Sequence, residues 1–113
     1  MKVRCTREPS GSDGSQDGLT VGQPYVVLAI EAGDYRILND WGDPVLYTPE
    51  VFEVTDARRP ADWVESIEDG EPYASPPEFH APGFWEDYHD RKPEALRTFA
   101  RYINERLGQI DAA

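Results

Sequence analysis

Cysteine is nearly missing from this chain: Cys5 is the only one in 113 residues. A disulfide within the chain is therefore excluded, and a reducing compartment is the natural setting. Long apolar runs are missing as well. The longest, Tyr25-Val26-Val27-Leu28-Ala29-Ile30, falls far short of the ~20 residues that a membrane-spanning helix needs. Positive charge is scarce, with 11 Lys and Arg against 22 Asp and Glu, for a net charge of -11. Such a surface repels phosphate, so direct binding of DNA or RNA is disfavoured. Its electrostatic complement is a basic protein or a cation, although the same acidity also serves plain solubility. Met1-Lys2-Val3-Arg4-Cys5 has no apolar signal core, so the cytoplasm is the expected location and no membrane contact is expected. What is present is 39% hydrophobic and 12% aromatic residues, too many for disorder throughout. The length suits one domain, or a small domain with an extension.

The first half reads as short strands. Lys2 to Thr6 places Val3 and Cys5 on one face. Glu8 to Gly18, rich in Gly, Ser and Asp, reads as a flexible loop. Pro24 to Glu31 and Tyr35 to Asn39 are apolar, β-rich runs flanking Ala32-Gly33-Asp34, a hairpin in which Gly33 supplies a left-handed turn residue. Asp40-Trp41-Gly42-Asp43 is a second tight turn, and Pro44 to Tyr47 a further strand. Pro49 to Val51 suits a single helical turn, and Phe52-Glu53-Val54 alternates as a half-buried strand does.

Leu19-Thr20-Val21-Gly22-Gln23-Pro24-Tyr25-Val26-Val27, followed by Tyr35-Arg36-Ile37-Leu38-Asn39-Asp40 and Phe52-Glu53-Val54, resembles bacterial SH3-like small barrels. The resemblance covers about half the chain and implies a five-stranded SH3-like β-barrel over residues 1–56. It speaks to fold and little to function, because such barrels host unrelated roles. SH3 domains hold proline-rich peptides with aromatics near their first long loop, a part that Tyr25, Tyr35 and Trp41 would fill here. The usual signature residues of that groove are absent.

Residues 57–113 read differently. Between Pro60 and Asp90 stand nine acids (Asp62, Glu65, Glu68, Asp69, Glu71, Glu78, Glu86, Asp87 and Asp90) and no Lys or Arg. Prolines 60, 72, 76, 77 and 82 preclude long helices there. The expectation is an extended aromatic and acidic segment wrapping the barrel, with Trp63, Phe84 and Trp85 covering it, then a short helix near Phe84 to Asp90. Pro93 opens a C-terminal helix with Leu96, Phe99, Ala100, Ile103 and Leu107 as its core stripe and Gly108 as its cap. The whole is expected to be mainly β with a C-terminal α element, packed as one unit.

No catalytic constellation emerges. Gly11, Gly14 and Gly18 lack the lysine of a phosphate-binding loop, and Ser10, Ser12 and Ser15 sit on a poor platform for catalysis. Cys5 reads as a small core residue. Glu86, His89 and Asp90 would share a helix face, with His80 nearby, and offer a metal-dependent enzyme as the alternative. No cofactor and no metal are expected. The favoured reading is a non-catalytic module that binds a basic protein through Trp41, Asp43, Asp62, Glu65, Glu68, Asp69, Glu71 and Tyr73. In gross features the chain is similar to small bacterial immunity and antitoxin-like proteins, which implies an immunity protein or toxin inhibitor. An accessory scaffold domain is the remaining alternative.

Overall fold

The computed structural model describes residues 1–8 and 18–107. The expected loop residues Ser10, Gly11, Ser12, Gly14 and Ser15 and the expected cap Gly108 lie outside them. Two compact units make up the chain, Met1–Pro77 and Glu78–Ala113.

The first unit is an antiparallel sheet of seven strands: β1 (Lys2–Cys5), β2 (Pro24–Glu31), β3 (Asp34–Leu38), β4 (Pro44–Tyr47), β5 (Phe52–Asp56), β6 (Val64–Glu68) and β7 (Glu71–Ser75). The first five run in the order β4-β3-β2-β1-β5. Glu31 pairs with Asp34, so Ala32 and Gly33 form a two-residue turn, with φ of 53° and 88°. Both positive angles belong to the turn type whose twist matches a hairpin, and Gly33 adopts its angle without steric cost. Leu28 is an extra residue between the Val27–Ile37 and Ala29–Arg36 pairs. This bulge bends β2. Its first part then pairs with β1 at Pro24 to Val26, and its last part with β7 at Ile30 and Glu31.

Pro49–Val51 form the expected single helical turn between β4 and β5. No ladder joins β4 to β5 among the described residues, so the sheet is open where a closed barrel was expected. Side chains bring those two ends together instead. The rings of Phe52 on β5 and Tyr47 on β4 lie 6.2 Å apart, and Phe52 also meets Tyr25 and Tyr35. Inside this curl Val3, Cys5, Val27, Ile30, Ile37, Val51 and Ala74 form the core.

The segment after Asp56 departs from expectation. Val64 to Ser75 is no extended wrap but a hairpin, and it joins the sheet through β7. The sheet unit therefore continues to Pro77, past the expected boundary at residue 56. Asp69 and Gly70, with φ of 52° and 79°, close the hairpin with the turn geometry seen at Ala32 and Gly33. Prolines rule out helix here but not strand. Pro72 occupies a pair with Ile67 that exchanges no ladder hydrogen bond, where a missing N–H costs nothing between the two strands.

The second unit contains α1 (Pro77–His80), which begins at the boundary, α2 (Phe84–His89) and α3 (Pro93–Tyr102), the last ending in a π-helical turn at Ile103–Leu107. Phe79 is its centre, with ring centroids 5.1 Å from Phe84, 5.0 Å from Trp85, 6.0 Å from Phe99 and 4.7 Å from Tyr102. Phe84 and Trp85 are thus core residues of this unit. Pro93 sits in the first turn of α3 as expected. The buried stripe is Ala95, Phe99 and Tyr102, rotated from the expected one, and Ala100 is exposed. The wider π turn then brings Leu107, five residues after Tyr102, back to the buried side.

Candidate functional site

The expected binding residues fall on two surfaces of the sheet unit. Trp41 and Asp43 lie in the turn between β3 and β4, whereas Glu65, Glu68, Asp69, Glu71 and Tyr73 lie on the β6–β7 hairpin. Because β7 runs antiparallel to β2, the hairpin tip is at the β2–β3 turn, where the Gly33 amide donates to the Pro72 carbonyl. The turn with Trp41 is at the other end of β3, a strand of five residues that spans about 17 Å. The structure therefore does not gather these residues into one patch. Asp62 is exposed, ahead of β6.

The Trp41 turn is rigidly built. Asn39, 6% exposed, accepts hydrogen bonds through Oδ1 from the Trp41 and Asp43 amides at 3.0 Å each and donates from Nδ2 to the Tyr47 hydroxyl at 3.2 Å. Asp40 accepts from the Tyr25 hydroxyl at 2.7 Å and from Thr20 Oγ1 at 2.8 Å. Burial pushes the Tyr25 phenol above its ordinary pKa, and the hydrogen bond to Asp40 adds to the effect. Tyr25 belongs to the core and Tyr35 is half-buried against Phe52, so neither joins Trp41 in an exposed aromatic groove. Trp41 itself is 60% exposed.

The hairpin presents the denser negative charge. Glu68 and Glu71 are direct partners across the ladder, with Asp69 in the turn between them, and all three are exposed. Among the described residues none of the three forms an ion pair; Glu68 accepts only from Ser66 Oγ, at 3.1 Å. Like charges directly opposed cost a sheet about 0.2–1 kcal/mol. Glu65 differs, since Arg59 Nη1 donates to its Oε1 at 2.5 Å. The Arg59 guanidinium also lies 6.0 Å from the centre of the Trp63 ring, and Trp63 packs on the core of the sheet. The acid-only stretch counted from Pro60 hid this pair, because its cation stands one residue earlier. Arg58 folds back on Asp56 through Nε and Nη2, at 3.0 and 2.8 Å, and these hydrogen bonds hold the Asp56 carboxyl well below the usual range.

The metal alternative has no geometric backing. Glu86 and His89 lie on α2 and Asp90 caps it, but among the described residues no three His, Cys, Asp or Glu side chains gather into a metal-binding group. Asp87 on the same helix pairs with Lys92 at 3.3 Å. Cys5 is buried, as expected, with Sγ donating to the Arg7 carbonyl at 3.3 Å. No helix among the described residues is long and apolar enough to cross a membrane.

Two features went unread in the sequence. One is the buried fork between Arg36 and Glu31, in which Nη2 donates to Oε1 at 2.9 Å while Nη1 reaches the Pro44 carbonyl at 3.0 Å. The other is β6 itself, signalled by the alternation in Val64-Glu65-Ser66-Ile67-Glu68 and the Asp69-Gly70 turn after it. Set against known proteins, the chain matches no family model, no curated protein and no solved structure.

Proposed function

We propose that this chain is a non-catalytic protein-binding module on an SH3-like barrel, most concretely an acidic immunity protein or inhibitor that neutralises a basic partner such as a toxin. The observation that carries this reading is the tip of the β6–β7 hairpin, where Glu68 faces Glu71 across Asp69 with no ion-pair partner among the described residues. A cationic side chain placed there relieves a like-charge pair that the free protein must tolerate, so binding energy comes from a repulsion already built into the fold. The net charge of -11 adds long-range steering towards the same class of partner. Contact between Tyr47 and Phe52 across the ends of the strand order supports the barrel reading. The single buried Cys5 suits the cytoplasm.

The test is capture from the native host at low salt with the full chain as bait. A basic protein should be recovered, its affinity should fall steeply as salt rises, and Glu68→Lys combined with Glu71→Lys should abolish capture. A partner held with no salt dependence, and indifferent to the double reversal, overturns the proposal.

A further inference from the structure

β6 is an edge strand: among the described residues it pairs only with β7. The two-residue turn sets which of its backbone groups are used. Glu68 and Glu71 close the hairpin as a hydrogen-bonded pair, so Ser66–Tyr73 and Val64–Ser75 are hydrogen-bonded pairs too. The N–H and C=O groups of Glu65 and Ile67 therefore point away from β7, along the outer edge. Pro72, opposite Ile67, agrees with this phase, since its carbonyl is turned outward to accept from Gly33.

The two faces of this edge differ in character. Glu65 and Ile67 share the face of Ala74 and Pro72, and a groove of about 360 Å3 lies there, lined by Ile30, Ile67, Pro72 and Ala74 with the Arg59–Glu65 pair at its margin. Ile67 is 71% exposed, the most exposed large apolar side chain among the described residues. On the opposite face Glu68 stands beside Glu71, and among the described residues neither has a cation. One face is apolar with its carboxylate neutralised; the other is negative and unneutralised. An edge unpaired among the described residues, with an exposed isoleucine, is a template for strand pairing; β6 has no lysine, proline or bulge, and the charges that guard it, Glu65 and Glu68, are both acidic and so do not repel a cationic strand.

We infer that β6 takes an extended cationic strand of a partner protein along its outer edge, with that strand's apolar side chains in the groove beside Ile67 and its alternate, cationic side chains against Glu68 and Glu71. Main-chain hydrogen bonds to Glu65 and Ile67 supply the attachment, and the period of two along a strand sorts the partner's side chains between the two faces. This rests on the reading of the chain as an acidic binding module and gives it a mode of contact. A second copy of this chain is the wrong occupant by charge, since each copy carries -11.

The probe is a synthetic eight-residue peptide alternating lysine and valine, added to the full chain while amide exchange is followed by nuclear magnetic resonance. The Glu65 and Ile67 amides should slow by about tenfold or more, while the Ser66 amide, already bonded within the hairpin, stays unchanged. The same peptide with its valines N-methylated, and a glutamate–valine peptide, should give no protection. Ile67→Pro removes an outward N–H without touching a β7 bond and should abolish protection; Glu65→Pro makes the same test one pair along, should the first variant lose the hairpin. Binding of the lysine–valine peptide with unchanged exchange at Glu65 and Ile67, or no binding at all, overturns the inference, as does protection that appears with protein concentration alone. A basic partner captured in a salt-dependent way with those amides still exchanging freely overturns strand addition and leaves the proposed function standing. Peptide addition along β6 without any basic partner in the host does the reverse.

Discussion

Replacing Gly18 by alanine should destabilise the sheet unit more than replacing Gly22, although both glycines have positive φ, 76° and 91°. At Gly22 an added Cβ meets nothing within 4 Å, so only the backbone term acts, about 1–2 kcal/mol for a side chain in the left-handed region. At Gly18 the same Cβ would stand 2.5 Å from Asn39 Nδ2 and 2.9 Å from Asn39 Cγ. The Asn39 amide must move, and it holds the Trp41 turn through two hydrogen bonds and ties it to Tyr47 on β4 through a third, each with a net contribution of about 0.5–1.5 kcal/mol. Losing one or two of them adds roughly 0.5–3 kcal/mol, giving Gly18→Ala a total of about 1.5–5 kcal/mol. Urea denaturation of both variants, followed by amide signals of β2 and β3, measures the difference. The Trp41 and Asp43 amides should also exchange faster in Gly18→Ala and not in Gly22→Ala, because Asn39 Oδ1 holds both. In an Asn39→Ala background the excess cost should largely vanish. Equal unfolding midpoints for the two glycine variants would refute the idea that Asn39 supports this turn.

Glu31→Ala removes the carboxylate half of a fork on Arg36, a residue only 5% exposed, and should cost about 3–5 kcal/mol in the same denaturation assay; a loss under 1 kcal/mol contradicts the burial argument. Glu68→Gln relieves the opposed pair at the hairpin tip and should stabilise the free protein by about 0.2–1 kcal/mol, an effect that fades in high salt; destabilisation counts against the repulsion. The Tyr25 phenol has its pKa raised on folding, so its contribution to stability is complete below the unfolded value near ~10 and is lost as pH rises through the folded value. Ultraviolet titration of the protein minus that of Tyr25→Phe should show a single late-ionising tyrosine, and a difference curve at or below the ordinary range sinks this assignment.

Local chemistry alone located much of the sheet. Pro24–Glu31 and Pro44–Tyr47 are strands over the stretches their composition marks, the Gly33 hairpin turn and the Pro49–Val51 helical turn are where expected, and Val3 and Cys5 share a buried face. These features depend on near neighbours: residues with β preference, a left-handed turn residue, a proline with its fixed φ. β6 and β7 are harder to read, because the five prolines between Pro60 and Asp90 argue against helix without arguing for strand, and the short alternation of Val64 to Glu68 is the only local strand signal. What pairs β7 with β2 is a partner more than forty residues away, and no local preference encodes that choice. A regular helical period puts Leu96 and Ala100 in the core, yet α3 buries Ala95 and Tyr102, since the rings of Phe79 and Trp85 select which face docks.

The surfaces divide in the same way. Composition by itself established that the chain is strongly acidic and cannot form an internal disulfide, because charge and cysteine counts do not depend on folding. Only the tertiary structure decided which carboxylates act together. Folding set Glu65 on Arg59 and left Glu68, Asp69 and Glu71 facing one another, and it separated Trp41 from that cluster by the length of β3. Salt screens exposed charges beyond about 10 Å, so the distances that strand register imposes, as well as the number of acids, determine where the surface is most negative.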